Sequence, residues 1–226
     1  MAHSFGTASA NVGGKPIALS FIKTSPNDVQ PQKVNPAKTL ANGSLDGINA
    51  GFFDMSNYAI LSIAIVNHKP VVGTRFDYGG GWNNEKYERG TLVWDAKARE
   101  YTIQIVGSGA DLSVSNQKSY WAQGGVSMSL GNDTGWYNIA KDQNLPTIDS
   151  DAWRSALVYN DGLNIWLVAT NSPCTAKEFR TAIKNNIGSG TLVDGIFLDG
   201  GASTQIRYGQ NGFTSTRAIP QIIALL

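Results

Sequence analysis

A chain of 226 residues with 42% hydrophobic and only 15% charged residues is long enough for one sizeable buried core and too apolar to be a disordered or heavily charged polymer. Its formal net charge of +1 gives no electrostatic reason to expect nucleic acid or an anionic membrane as partner. A single cysteine, Cys174, excludes an intrachain disulfide and suits a cytosolic, an exported bacterial or a phage-borne chain alike.

The N-terminal Met-Ala-His-Ser-Phe-Gly has neither the basic region nor the apolar run of a signal peptide. Nowhere do about 18 apolar residues run uninterrupted, so no membrane insertion is expected. Lys15 to Lys23 alternates as a strand, and the Pro-, Asn- and Lys-rich stretch from Thr24 to Ser44 reads as a long loop. Ser62 to Val72 predicts a hairpin turning at Asn67-His-Lys69, and Thr91 to Val106 a second one turning at Asp95 to Arg99. Between them, Tyr78-Gly-Gly-Gly-Trp-Asn-Asn84 carries too much glycine for a regular element. It is either a surface loop or a lid whose Trp82 stacks on a sugar ring. Ala156 to Thr170 predicts a further hairpin, with Asp161-Gly162 supplying the positive φ of a tight turn. A helix follows it: Thr175-Ala-Lys-Glu178 is a capping box, Phe179, Ile183 and Ile187 recur on one face, and Gly188 stops it. With the apolar run Ile196-Phe-Leu198 beyond it, this makes a C-terminal βαβ unit in a mixed sheet. No repeat and no linker interrupts the chain, so residues 1–226 are expected to form one α+β (mixed α/β) domain of several hairpins and few helices. Two triplets, Asn42-Gly-Ser44 and Asn132-Asp-Thr134, fit the glycosylation pattern, one that arises easily by chance.

The richest segment is Asp194-Gly-Ile-Phe-Leu-Asp-Gly-Gly-Ala-Ser-Thr-Gln205, in which an apolar strand ends in Asp199, Gly200 and Gly201, with the Ser203 and Thr204 hydroxyls close behind. Polar groups at the carboxyl end of a strand sit where open sheets bind ligands, although a capped tight turn has the same composition. In Asp46-Gly-Ile-Asn-Ala-Gly-Phe-Phe-Asp54, Asn49 falls inside an apolar stretch with Gly51 on the same strand face. Such an amide either ties down a loop or faces a ligand.

Together with Trp153-Arg-Ser-Ala-Leu157 and Arg217-Ala-Ile-Pro-Gln-Ile-Ile-Ala-Leu225, these segments resemble the phosphodiester glycosidase family, whose four motifs occur here in order from about residue 46 to the C-terminus. Trp153 stands where that family usually has proline, and Ala202 replaces a third glycine. The resemblance implies a hydrolase that cleaves a sugar-1-phosphodiester at its anomeric C–O bond, giving free sugar and a phosphomonoester, with a cell-wall or capsular glycan as one setting. Relatives acting outside the cytoplasm imply an extracytoplasmic or phage-associated role. No cofactor and no nucleic-acid partner is implied.

On that reading Arg154 grips phosphate oxygens through its forked guanidinium, and Ser203, Thr204 and the amides of Gly200 and Gly201 complete an anion pocket. Asp199 stabilises the cationic anomeric carbon or activates water. Asn49 orients a sugar hydroxyl or the phosphate, Gly124 and Gly125 line the pocket, and Arg217 matches a family arginine near the site. For a partner carboxylate, Asp54 is preferred to Asp194, which lies five residues before Asp199 and so on the other sheet face. Each has a structural alternative: an ion-pair arginine at 154, a loop clamp at 49, a solvated turn residue at 54, a strand brace at 217.

Other chemistries fit less well. One cysteine and the separated His3 and His68 give no zinc-site spacing, and Gly125-Val-Ser-Met-Ser129 lacks the last glycine of a nucleophile elbow. A metal-dependent phosphodiesterase built on Asp199 and Asp54 stays open, as does a glycan-binding module without turnover, for which six tryptophans and eight tyrosines would serve equally well.

Overall fold

The computed structural model describes residues 3–42 and 45–226; the acceptor triplet at 42–44 extends into residues outside that set. In chain order the strands are β1 (Ser4–Val12), β2 (Lys15–Thr24), β3 (Val29–Lys38), β4 (Gly47–Asn49), β5 (Ala64–Val66), β6 (Lys69–Pro70), β7 (Arg89–Asp95), β8 (Glu100–Val106), β9 (Tyr120–Gly124) and β10 (Val126–Ser127). Helix α1 (Trp136–Asp142) then precedes β11 (Ala152–Asn160) and β12 (Ile165–Cys174), and α2 (Ala176–Asn186) precedes β13 (Leu192–Phe197), β14 (Ile206–Tyr208), β15 (Asn211–Phe213) and β16 (Ile219–Leu225).

Among the described residues three sheets result: β1-β2-β12-β11-β13-β10, β15-β14-β4-β16-β3 and β6-β5-β9-β7-β8. The pairings within them are antiparallel. The expected βαβ unit survives in an altered form, because β12 and β13 run parallel to each other on either side of β11, which pairs antiparallel with both.

The centre of the six-stranded sheet, at β11 and β12, is buried on both faces, and alternation along its strands divides the core. Ala156 and Val158 of β11, Trp166 and Val168 of β12 and Phe197 pack towards Phe179 and Ile183 of α2. Leu157, Leu167, Ile196 and Leu198 pack the other way, towards Ile48, Ile223 and Trp121 of the two smaller sheets. Thr175 caps α2 in a full capping box with Glu178, and Gly188 follows the helix at φ +68°, as the local pattern requires. The hairpins at 64–70 and 89–106 form as expected, with Asn67 and His68 both at positive φ in the first turn.

Two expectations fail for local reasons. The stretch from 24 to 44 contains β3, whose Pro31 and Pro36 are accommodated because it is an edge strand, with a register shift opposite Ile219 and Gln221 absorbing residues 34–37. In the β11–β12 turn the positive φ falls on Leu163 rather than on Gly162. Among the described residues no helix is long and apolar enough to cross a membrane.

Candidate active site

Where β13 runs out, Leu198 N–H donates to Ser155 O at 2.8 Å and Asp199 N–H to Ala50 O at 3.1 Å, so the segment bridges β11 and the end of β4. Beside this seam lies a cavity of about 160 Å³ lined by Phe52, Leu145, Pro146, Thr147, Ala152, Arg154, Ser155, Phe197, Leu198, Asp199, Gly200 and Gly201. It is small beside the several hundred Å³ of a drug-sized pocket and matches a single compact group.

Asp199 keeps partial solvent contact through this cavity, yet protein atoms surround its carboxyl. Lost hydration pushes its pKa up to about 6, against the opposing pull of a hydrogen bond from the Ser203 hydroxyl, the Gly200 N–H at 3.0 Å and the positive charge of Arg217. Ser203 Oγ also accepts from Arg217 Nη1 at 3.3 Å, making a relay Arg217–Ser203–Asp199. The Ser203 hydroxyl therefore acts on Asp199 and is not offered to an anion. Thr204 Oγ1 is fully buried without a hydrogen-bond partner among the described residues and does not line the cavity. Gly200 spends its N–H on Asp199, which leaves Gly201, at φ +58° with open space beside its α-carbon, as the bare wall of the turn.

Arg154 lines the cavity with its charge buried and, among the described residues, without a salt bridge. Nε donates to Cys174 O at 2.9 Å, and Nη2 to Thr147 O at 2.6 Å and Ser150 O at 2.8 Å, leaving Nη1 as the uncommitted nitrogen among the described residues. Burial lowers its pKa, but an arginine stays charged under any physiological condition.

Asn49 is fully engaged. Its Oδ1 accepts from Ser155 Oγ at 2.6 Å and Gln205 N at 3.1 Å, while Nδ2 donates to Asp199 O at 2.7 Å. This is the loop clamp, and no polar atom of Asn49 remains for a sugar.

The structure separates several expected site residues from the cavity. Asp54 accepts from Ser56 N at 2.8 Å and Ser56 Oγ at 2.7 Å, contacts that lower its pKa and make it a turn residue. Trp82 is 6% exposed in the cluster of Ile63, Ile65, Val93, Tyr120 and Ala122, edge-on to His68, so its ring is core and not lid. A side chain at Gly51 would collide with Ser62 and Gln123, at Gly124 with Asn84, and at Gly125 with the Phe197 carbonyl; these glycines let neighbouring segments approach closely. Ser155, Gln205 and the 145–147 wall were not anticipated. Ser155 and Gln205 lie inside the quoted motifs, whereas the wall has no local signature. Among the described residues no group of three or more His, Cys, Asp or Glu side chains is placed to hold a metal ion.

The sequence matches no protein-family profile and no curated protein sequence. The fold does match solved structures. The catalytic domain of zebrafish N-acetylglucosamine-1-phosphodiester alpha-N-acetylglucosaminidase, described as auto-inhibited by its pro-peptide, aligns with a TM-score of 0.65 and 11% identity over 99% of this chain and 82% of that one. A hypothetical protein from Synechocystis aligns with a TM-score of 0.50 and 12% identity over 98% of this chain and 61% of its own. The chain therefore has the fold of a phosphodiester-glycosidase-type catalytic domain.

Proposed function

We propose that the protein hydrolyses glycosyl-1-phosphodiesters at the anomeric C–O bond, releasing free sugar and a phosphomonoester. One observation carries this reading: Asp199 and Arg154 line the same small cavity, on a fold shared with a domain whose named substrate is an N-acetylglucosamine-1-phosphodiester.

A carboxyl with pKa about 6 is mostly ionised at neutral pH yet is a stronger base than an ordinary aspartate. In this role it accepts the proton of the attacking water as the C–O bond breaks and its electron pair departs with the phosphate oxygen. The phosphomonoester is a stable anion and needs little help from an acid. Arg154 meets its charge through Nη1, held in place by the three backbone carbonyls on its other nitrogens. Ser203 and Arg217 act on Asp199, and Asn49 fixes its backbone. A cell-wall or capsular polymer with phosphodiester-linked sugars suits this chemistry.

The test is a panel of glycosyl-1-phosphodiesters incubated with the protein, with free sugar and phosphomonoester read out. Release of both supports the assignment. Tight binding with no release would identify a glycan-binding module, and cleavage on the far side of phosphorus, leaving sugar-1-phosphate, would identify a phosphodiesterase.

A further inference from the structure

Two shallow hollows, sharing no lining residue with the cavity, are not used by the chemistry above. The first, about 490 Å³, is bounded by Ala202, Arg217, Phe53 and Tyr58; the second, about 520 Å³, by Tyr58, Tyr78 and Lys33 among others. Tyr58 lines both, so the two hollows adjoin as one groove, whose first part reaches the turn carrying Asp199 through Ala202 and Arg217. Three features mark it as a binding surface. Tyr58 is 44% and Tyr78 64% exposed, and the Tyr58 ring lies stacked on Phe53 at 6.1 Å and 19°. Tyr58 holds φ +61°, a conformation uncommon for a residue with a bulky side chain. The turn that keeps it there is closed by Tyr58 N to Asp54 O at 2.7 Å and by the Asp54–Ser56 contacts. Finally, among the described residues lining the two hollows, Lys33 and Arg217 are cationic and none is acidic.

We infer that this groove binds an extended polyanionic glycan, a chain of sugars joined by phosphodiesters, with sugar faces on Tyr58 and Tyr78 and linking phosphates near Lys33 and Arg217. The inference rests on the hydrolase reading and names its substrate class as polymeric. Aromatic faces suit the apolar faces of pyranose rings, and an acid-free lining with two cations suits repeated negative charge. Continuity at Ala202 and Arg217 connects the groove to Asp199: Arg217 bonds Ser203, and Ser203 bonds Asp199.

The test compares a polymer of N-acetylglucosamine units joined through 1-phosphodiesters with methyl N-acetylglucosaminyl phosphate, in wild type, Tyr58→Gly and Lys33→Glu. Glycine accepts the positive φ while removing the ring, and Lys33 is exposed, so both variants should fold, which circular dichroism checks. The expected result is a fall of at least about tenfold in the ratio of kcat/KM for polymer over single unit in each variant. An unchanged ratio in both overturns the groove. If wild type cleaves neither compound, the hydrolase reading fails by itself, and calorimetric titration with the polymer still decides the groove. A Kd weakened about tenfold in Lys33→Glu supports it, and equal affinity or no binding by wild type overturns it.

Discussion

The side-chain amide of Asn49 donates to the carbonyl oxygen of Asp199 across 2.7 Å, so one residue of β4 sets the backbone position of the acid at the end of β13. The same amide accepts from Ser155 of β11 and from Gln205, drawing four segments to a single buried point.

Asn49→Ala should therefore act first on stability. It strands the Ser155 hydroxyl and the Gln205 N–H in a buried site, at a cost of about 2–4 kcal/mol in total. Urea denaturation measures this, and a midpoint equal to wild type would remove Asn49 from the role of clamp.

Asp199→Asn should fold normally and lower turnover by at least about a hundredfold. Wild-type kcat/KM should rise with pH through about 6, a limb absent from the variant. Stability moves the opposite way. The folded carboxyl holds its proton up to about pH 6 while the unfolded chain releases it near 3.8, so the native state binds the extra proton and loses stability as pH rises through that window. Denaturation of Asp199→Asn should show its largest advantage over wild type above pH 6. Near-normal hydrolysis by the folded variant would end the assignment.

Ser203→Ala removes a hydrogen bond that favours ionised Asp199, so the pH limb should move to higher pH while the fold is kept. A purely structural serine would lower the rate without moving the limb, and the pH profile separates the two.

Arg154→Lys loses the Nη1 contact to phosphate together with the carbonyl ties to Cys174, Thr147 and Ser150 that hold the guanidinium in place. Cleavage of a phosphodiester should drop by at least about tenfold, the scale of one lost charge-assisted contact. Neutral aryl glycosides cleaved as fast as the phosphodiester by both wild type and variant would count against a phosphate-binding role.

Hydrolysis should survive dialysis against a strong chelator, because Arg154 supplies the positive charge and Asp54, the acid that would complete a carboxylate pair, is bound to Ser56 instead. Complete loss restored by one divalent ion, with the fold unchanged, would reverse this.

Local signals carried through wherever the deciding interactions are local. The α2 capping box, the Asn67-His68 turn and the glycine turn after the last apolar strand all lie within a few residues of the groups that determine them. Pro31 and Pro36 mislead because proline is compatible with both a loop and an edge strand, and edge position is a tertiary property. At the site, Asp199, Arg154, Gly200 and Gly201 were legible by residue type, but roles were not. Whether Asn49 faces a ligand depends on partners at 155, 199 and 205, more than a hundred residues away. Trp82 among glycines has the composition of a lid, and its burial depends on β5, β7 and β9 closing over it.

The prolines of β3 also bear on how copies of this chain meet one another. A bare sheet edge is a template on which a second molecule can add a strand, and long flat edges of this kind seed aggregates. Here the outer strand carries two residues without an N–H, lysines at both 33 and 38, and a register break that interrupts its ladder. An incoming strand would find missing donors, like charges at intervals and no continuous hydrogen-bonding row, so this edge is a poor template for a further strand.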